Sequence, residues 1–364
     1  MKITRFFLTT SGQMLFVLIT LVSIGLLNLY SATYYLGPKA ILFKKQIFWT
    51  GLGFITLWIF SSIEYHKLRI YAYHIYTIIV LLLFALLFIA PSLSGTKRWF
   101  TLGPISIQPS ELAKIVFIIT IAHYLSETKL ESQTLKVFLK TLILTVIPVF
   151  LVVLEPDLGT AVILLILFGS MCVLSKVSNK ILLVVGGLAL AFLPFIWKFM
   201  LKDYQRARIL GFLFPHKDPL GVGYHVLQSK TAIGSGRLWG KGFLKGTQSQ
   251  LHFLPEHYTD FVFSVFAEQW GFIGCVILLT LYLLLILMGI RIAQRANHPF
   301  AFLLAGGITA LFFWQVFINI AMTLGLLPVV GVPLPFMSYG GSAMLVNFIA
   351  VGILINIDIK NWRK

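Results

Sequence analysis

Apolar residues in this chain come in long, nearly unbroken blocks, not at the spacing of an amphipathic helix or an alternating strand. Ten blocks stand out, at about 13–31, 46–62, 70–91, 110–125, 137–153, 158–175, 180–199, 261–290, 299–325 and 340–357. Each approaches or exceeds the roughly 18 residues that a helix needs to cross a bilayer. The pattern predicts an all-α, polytopic integral membrane protein with ten transmembrane helices. The whole of 1–364 reads as a single transmembrane domain, with no internal repeat and no low-complexity linker. The first block is longer than the apolar core of a signal peptide, and no small-x-small cleavage site follows it, so it reads as an uncleaved first span.

Most connections between blocks are short. The exception is 200–260, between the seventh and eighth, which carries Lys202, Arg206, Arg208, Lys217, Lys230, Arg237, Lys241 and Lys245. Apolar residues run through it, among them Ile209, Phe212, Val226, Leu238, Trp239 and Phe243. That mixture fits a folded lid along the outer interface with a basic inner surface. It fits equally a cationic loop resting on anionic headgroups. Gly234–Gly242 inside it is glycine-rich but lacks the P-loop spacing, since three residues separate Gly236 from Gly240 and Gly242 follows Lys241. It reads as a flexible turn whose amides could face an anion.

Composition narrows the class further. The chain is 58% hydrophobic and only 11% charged, well below the quarter or so expected of a soluble domain. A net charge of +17 raises the question of nucleic acid, but the basic residues are scattered between spans, so no nucleic-acid partner is expected. Their distribution sets orientation instead. Lys2, Arg5, Lys67, Arg69, Lys136, Lys140, Lys176, Arg291, Arg295 and Lys360 fall on one side, against Lys39, Lys44, Lys45, Lys97 and Arg98 in the opposite short loops. Both termini are therefore expected in the cytoplasm, with the 200–260 loop outside, long loops being exempt from the charge rule. Cys172 and Cys275 lie within apolar blocks and read as small hydrophobes.

The twelve carboxylates locate the candidate chemistry. Glu64, Glu127, Glu131 and Asp358 fall at cytoplasmic ends and read as solvated. Glu111, Glu155, Asp157, Glu256, Asp260 and Glu268 fall inside spans or at their outer ends, where an ionisable group is costly and points to function. In Gln108-Pro109-Ser110-Glu111, Ser110 reads as the N-cap of a helix, and Glu111 and Lys114 share a face. They form either a structural pair or one wall of an anion site. Upstream, Lys97, Arg98 and Trp99 place two cations and an aromatic at the same surface, suited to a pyrophosphate. Glu155-Pro156-Asp157-Leu158-Gly159-Thr160 is a tight outer turn. Asp157 caps the next helix, or the two carboxylates hold a divalent cation or orient sugar hydroxyls. Asp260 is either a plain N-cap or a general base. The helix dipole and nearby cations favour its anion and burial favours the neutral acid, so the two effects oppose. Glu268, two turns further in, is structural or supports a polar channel.

The motifs Lys97-Arg98-Trp99, Gln108-Pro109-Ser110-Glu111 with Lys114, Glu155-Pro156-Asp157-Leu158-Gly159-Thr160, Pro255-Glu256 with Thr259-Asp260-Phe261, and the run Gly325–Phe336 continuing through Ser338-Tyr339-Gly340-Gly341-Ser342 resemble the SEDS family (shape, elongation, division and sporulation proteins) along essentially the whole chain. The short tails are more similar to its rod-shape elongation branch than to its division branch. The resemblance implies a bacterial inner-membrane peptidoglycan glycosyltransferase that polymerises lipid II on the outer face during elongation. It implies Asp260 as catalytic base, with Arg98, Trp99, Glu111, Lys114, Glu155, Asp157, Thr160, Glu256 and Ser338 as substrate-binding residues. It further implies undecaprenyl pyrophosphate as leaving group, and a divalent cation (Mg2+ or Mn2+) as the one cofactor to consider, with no organic cofactor. Expected partners are a class B penicillin-binding protein with transpeptidase activity, other elongation-complex membrane proteins, and membrane lipids. Two departures stand out: Tyr258 sits where members usually have His, with His257 one place earlier, and Ala343 replaces a frequent Ser. The alternatives are a lipid II flippase, which should carry polar groups at the bilayer midplane, and a non-enzymatic scaffold, which should tolerate loss of charge at Glu111, Lys114 and Asp260.

Overall fold

The computed structural model describes residues 9–34, 41–89, 98–102, 105–128, 135–195, 198, 203–214, 222–247 and 258–362. In chain order the helices are α1 (Thr10–Thr33), α2 (Ile41–Ser62), α3 (Tyr65–Ile70), α4 (Ala72–Ile89), α5 (Pro109–Glu127), α6 (Leu135–Leu154), α7 (Leu158–Leu174), α8 (Asn179–Phe195), α9 (Asp203–Leu213), α10 (Val222–Ser235), α11 (Val262–Gln294), α12 (Pro299–Thr323) and α13 (Gly341–Trp362). A two-stranded antiparallel hairpin, β1 (Phe100–Leu102) and β2 (Ile105–Ile107), precedes α5. Every apolar block overlaps one of these helices. Among the described residues six of them, α1, α4, α6, α11, α12 and α13, are long and apolar enough to cross a membrane. The chain is a multi-pass, mostly helical membrane protein.

Burial divides the helices. In α13 83% of the most apolar window is buried and in α12 67%, whereas α4 has only 22%. Helices α5, α12 and α13 therefore form the centre, while α2, α4 and α6 present side chains such as Trp58, Phe88 and Phe150 to hydrocarbon. Apolar burial drives helix association weakly in lipid, so close packing and interhelical hydrogen bonds carry much of the cohesion. Asn356 of α13 donates to Ser61 O at 2.7 Å and accepts from Tyr65 N at 3.0 Å. Asp358 accepts from both the backbone N–H and the hydroxyl of Ser11. Its expected solvation is thus corrected: Asp358 is 3% exposed, because its position on the central helix faces α1 and not the solvent.

Within 200–260 the described residues are folded, as α9, α10 and a glycine-rich segment docked on α11. Helix α11 breaks at Gly271 (φ 62°, ψ −163°). A break leaves helical carbonyls and amides unpaired, a cost that something must offset inside a membrane protein. Here the glycine-rich segment does so. The Lys241 and Gly242 amides donate to Glu268 O and Gln269 O, and the Phe272 and Ile273 amides donate to Arg237 O and Leu238 O. The Lys241 ammonium also pairs with the buried Glu268 carboxylate at 2.7 Å. So the segment is not a turn with amides offered to an anion, because Lys241 and Gly242 spend theirs on carbonyls of α11. Glu268 takes the structural role, pinning the segment in place.

Gly240 (φ +78°) is required by this docking, since a Cβ there would lie 2.1 Å from Gln269 O. Gly240→Val is expected to cost at least about 1–2 kcal/mol from the left-handed backbone alone, plus the overlap. It should release the segment, seen as faster proteolysis of the 235–247 region and a lower melting temperature. Unchanged protection would show that the glycine is dispensable.

Candidate active site

The site assembles on the turn between α6 and α7. Asp157 is the N-cap of α7: its Oδ1 accepts from the Thr160 amide at 3.3 Å and its Oδ2 from the Thr160 hydroxyl at 2.9 Å. The same Oδ2 accepts from Ser110 Oγ and Gln108 Nε2, both at 2.9 Å. One carboxylate oxygen therefore ties the start of α5 to the start of α7. Ser110 is not the N-cap of α5. Gln108 holds that position without a side-chain cap, and the Ser110 hydroxyl turns to Asp157 because Pro109 opens the helix one residue earlier.

Arg98 closes the turn from outside, its guanidinium donating to Glu155 O at 3.0 Å and to Pro156 O. Trp99 follows it, half-buried. The Glu155 side chain is fully buried, and neither carboxyl oxygen has a hydrogen-bond partner. Glu155 lies between the two helices, outside the spans. Burial and the neighbouring Asp157 push its pKa up to about 8, with Arg98 only partly opposing. A carboxyl whose folded pKa exceeds its unfolded value stabilises the fold fully below the unfolded pKa, and that contribution is lost as pH rises through the folded one. The protein is thus expected to lose thermal stability as pH rises from about 4.5 towards 8. Glu155→Gln should flatten the profile, leaving the variant the more stable of the two above pH 8. A melting series that keeps its slope in the Gln variant would assign the dependence elsewhere.

One turn into α5, Lys114 Nζ donates to Glu111 Oε1 at 2.7 Å. Both are buried, Lys114 at 1% exposure, and Glu111 Oε2 has no hydrogen-bond partner.

Asp260 approaches the turn from the other side. It is not the N-cap of α11, a position that Phe261 holds without a side-chain cap. The irregular stretch between α12 and α13 carries it. Such backbone survives at membrane depth only where protein surrounds it. Here Asn319 donates to Asp260 O at 3.1 Å and to Val332 O at 2.8 Å. Ser338 Oγ donates to Thr259 O at 2.6 Å, accepts from Leu334 N at 2.8 Å, and Tyr339 N donates to Tyr258 O at 2.9 Å.

Gly331 (φ +77°) joins the two halves. A Cβ at Gly331 would lie 3.4 Å from Asp260 Oδ2, and a Cβ at Gly159 would lie 2.7 Å from Val330 O and 3.1 Å from Gly331 O. Hence the Asp260 carboxylate packs on Gly331, and Gly331 packs on the turn that binds Arg98 and contains Asp157. Arg98, Glu155, Asp157, Thr160, Ser338 and Asp260 are thereby linked, and the Glu111–Lys114 pair follows Ser110 on α5. Glu256 and Lys97 lie outside the described residues.

Two neutral participants, Asn319 and Gln46, leave no mark on the charge pattern, and a third, Arg208, comes from the 200–260 segment. Asn319 and Gln46 are neutral, yet a buried amide on an apolar helix is the same kind of signal. Gln46 donates to Ser338 O and accepts from the Gly340 amide, both at 3.3 Å. Arg208 of α9 donates to Val329 O at 3.2 Å, bringing the 200–260 segment onto the site. A divalent cation held by Glu155 and Asp157 does not fit the donors. Asp157 Oδ2 already accepts three hydrogen bonds, which leaves Glu155 as the one carboxylate with both oxygens open, and no cluster of three or more His, Cys, Asp or Glu occurs among the described residues.

Residues 10–362 match the family model for FtsW, RodA and SpoVE, described as cell cycle protein. The chain is 41% identical to the peptidoglycan glycosyltransferase MrdB of Escherichia coli K12, covering 94% of this chain and 92% of that protein. It is 31% identical to the peptidoglycan glycosyltransferase RodA of Treponema pallidum, covering 95% and 97% respectively. Among solved structures, it resembles a chain of a peptidoglycan synthase complex described as coordinating polymerization and crosslinking, at 30% identity and TM-score 0.84 over 97% of this chain and 98% of that one. It also resembles the rod shape determining protein RodA of Thermus thermophilus, at 28% identity and TM-score 0.72 over 97% of each chain.

Proposed function

Since the chain belongs to the family of FtsW, RodA and SpoVE, we infer that it is a peptidoglycan glycosyltransferase, polymerising lipid II into β-1,4-linked glycan strands. The observation that carries the mechanism is the contact of Asp260 with Gly331 and of Gly331 with the Arg98 turn. Asp260 thus stands one glycine away from the turn that Arg98 binds. Asp260 takes the proton of the 4-hydroxyl on the acceptor's N-acetylglucosamine. The freed oxygen attacks the anomeric carbon of the lipid-linked muramyl residue. As the new bond forms, the bond to pyrophosphate breaks with inversion from α to β, and undecaprenyl pyrophosphate leaves with the electron pair. Arg98, Lys114 and cations of the outer loop stabilise the developing charge, as preorganised donors do in a water-poor site. Asp157, through Ser110, Gln108 and Thr160, holds the two helix starts in register.

The same reading gives ten membrane crossings in the bacterial inner membrane, cytoplasmic termini, and the 200–260 loop outside. It assigns the chain to cell elongation, working with a class B penicillin-binding protein that crosslinks the strands. That partner is supported by the likeness to a synthase-complex chain. Purified protein supplied with lipid II should yield glycan strands longer than one disaccharide. Lipid II crossing proteoliposomes without any strand formation would overturn the reading in favour of a flippase.

A further inference from the structure

At the end of α11 far from Asp260 the structure holds a two-part cavity that the transferase chemistry does not use. One part, about 750 Å³, is an apolar groove between α7, α11 and α12, lined by Ile166, Val173, Ile286, Ala310 and Phe313 among others. Two polar groups in its wall satisfy each other, Trp314 Nε1 donating to Ser170 Oγ at 3.0 Å. Beside Gly169 it is open, with nothing within 4 Å of a Cβ built there. The second part, about 510 Å³, shares Leu174 and Phe302 with the first and adds polar groups, Ser126, Thr128, Ser175, Lys176 and Asn297, to apolar Leu125, Ala296 and Leu303. The first turn of α12, opening at Pro299, also faces it.

We propose that this cavity binds one anionic glycerophospholipid of the adjoining leaflet, an acyl chain in the groove and the phosphate at Lys176. An apolar groove adjoining a mouth that carries polar groups and a lysine at a helix-bundle end has the chemistry of a lipid tail and its head. The mouth favours negative charge. Lys176 is exposed and held at φ +58° by the turn that ends α7, with Lys176 N donating to Val173 O and Val177 N to Cys172 O. The positive end of the α12 dipole adds to it. Glu127 lines the same mouth with opposite sign, but it leans on Arg69 at 3.8 Å and His123 at 3.6 Å. The proposal depends on the chain crossing a membrane and not on the polymerase mechanism.

The test is native mass spectrometry of the purified, delipidated chain titrated with phosphatidylglycerol or with phosphatidylcholine of matched acyl chains. The parent should retain phosphatidylglycerol preferentially. Lys176→Glu should weaken that retention roughly tenfold with little effect on phosphatidylcholine. Gly169→Phe, whose Cβ enters open space on the groove wall, should weaken retention of both. Both variants should still polymerise lipid II, which separates a lost lipid site from a misfolded chain. Equal retention of the two lipids by the parent, or sensitivity to Gly169→Phe but not to Lys176→Glu, would overturn the proposal. The second outcome would leave the groove to an acyl chain held without recognition of its headgroup.

Discussion

Asp260→Ala is expected to slow glycan polymerisation by about 10²–10⁴-fold, the usual contribution of a positioned general base, with the melting temperature nearly unchanged. The second half follows from where this turn is held. Three backbone carbonyls help to hold it: Asn319 binds Asp260 O, Ser338 binds Thr259 O, and Tyr339 binds Tyr258 O. Truncation at Cβ leaves all three intact, and Phe261, not Asp260, is the N-cap of α11. Asp260→Asn sharpens the test, because it keeps the shape and removes the basicity. Lipid II turnover and thermal unfolding of the same preparations give the two readouts. An Asn variant running at the parent rate would show that proton abstraction falls to another group, and Asp260 would then be a positioning residue at most.

The apolar blocks were legible because run length is a one-dimensional signal and lipid imposes it strictly. The caps were legible only where a local bond wins. Asp157 caps α7 as its spacing suggests, since Thr160 is three residues away. Ser110 and Asp260 depart from the same rule because tertiary partners outbid local ones: Asp157 claims the Ser110 hydroxyl, and the turn at 258–261 starts α11 one residue late. The docking of Gly236–Gly242 was not legible at all. Its partners are carbonyls and amides exposed by a break at Gly271, about thirty residues downstream, and a glycine inside an apolar block announces no break. Asn319 and Gln46 were missed for a different reason. A neutral amide buried on an apolar helix carries a demand for partners comparable to that of an ionisable group, yet leaves the charge pattern unchanged.

Lys114→Met is expected to be the most damaging single change to stability at this site. Both members of the Lys114–Glu111 pair are buried, so removing the ammonium strands a carboxylate in a low-dielectric interior, at a cost of about 3–5 kcal/mol. The protein should express poorly or melt far below the parent. Removing both charges, in Lys114→Met with Glu111→Leu, should restore most of the lost stability, because a well-packed apolar pair often matches a buried ion pair. That double variant separates the two roles left open by the spacing alone. A pair that only holds α5 in place predicts recovered polymerisation along with recovered folding. A pair that also faces substrate predicts a folded protein at least about 100-fold slower, the loss expected when one preorganised charge-stabilising group is removed. The second outcome is expected, because Glu111 Oε2 is buried without a hydrogen-bond partner, one residue along α5 from the Ser110 that bonds Asp157. An acceptor left open there suits a hydroxyl that arrives with the sugar. Full polymerisation by the folded double variant would make the pair structural and leave Arg98 and the outer-loop cations to stabilise the leaving pyrophosphate.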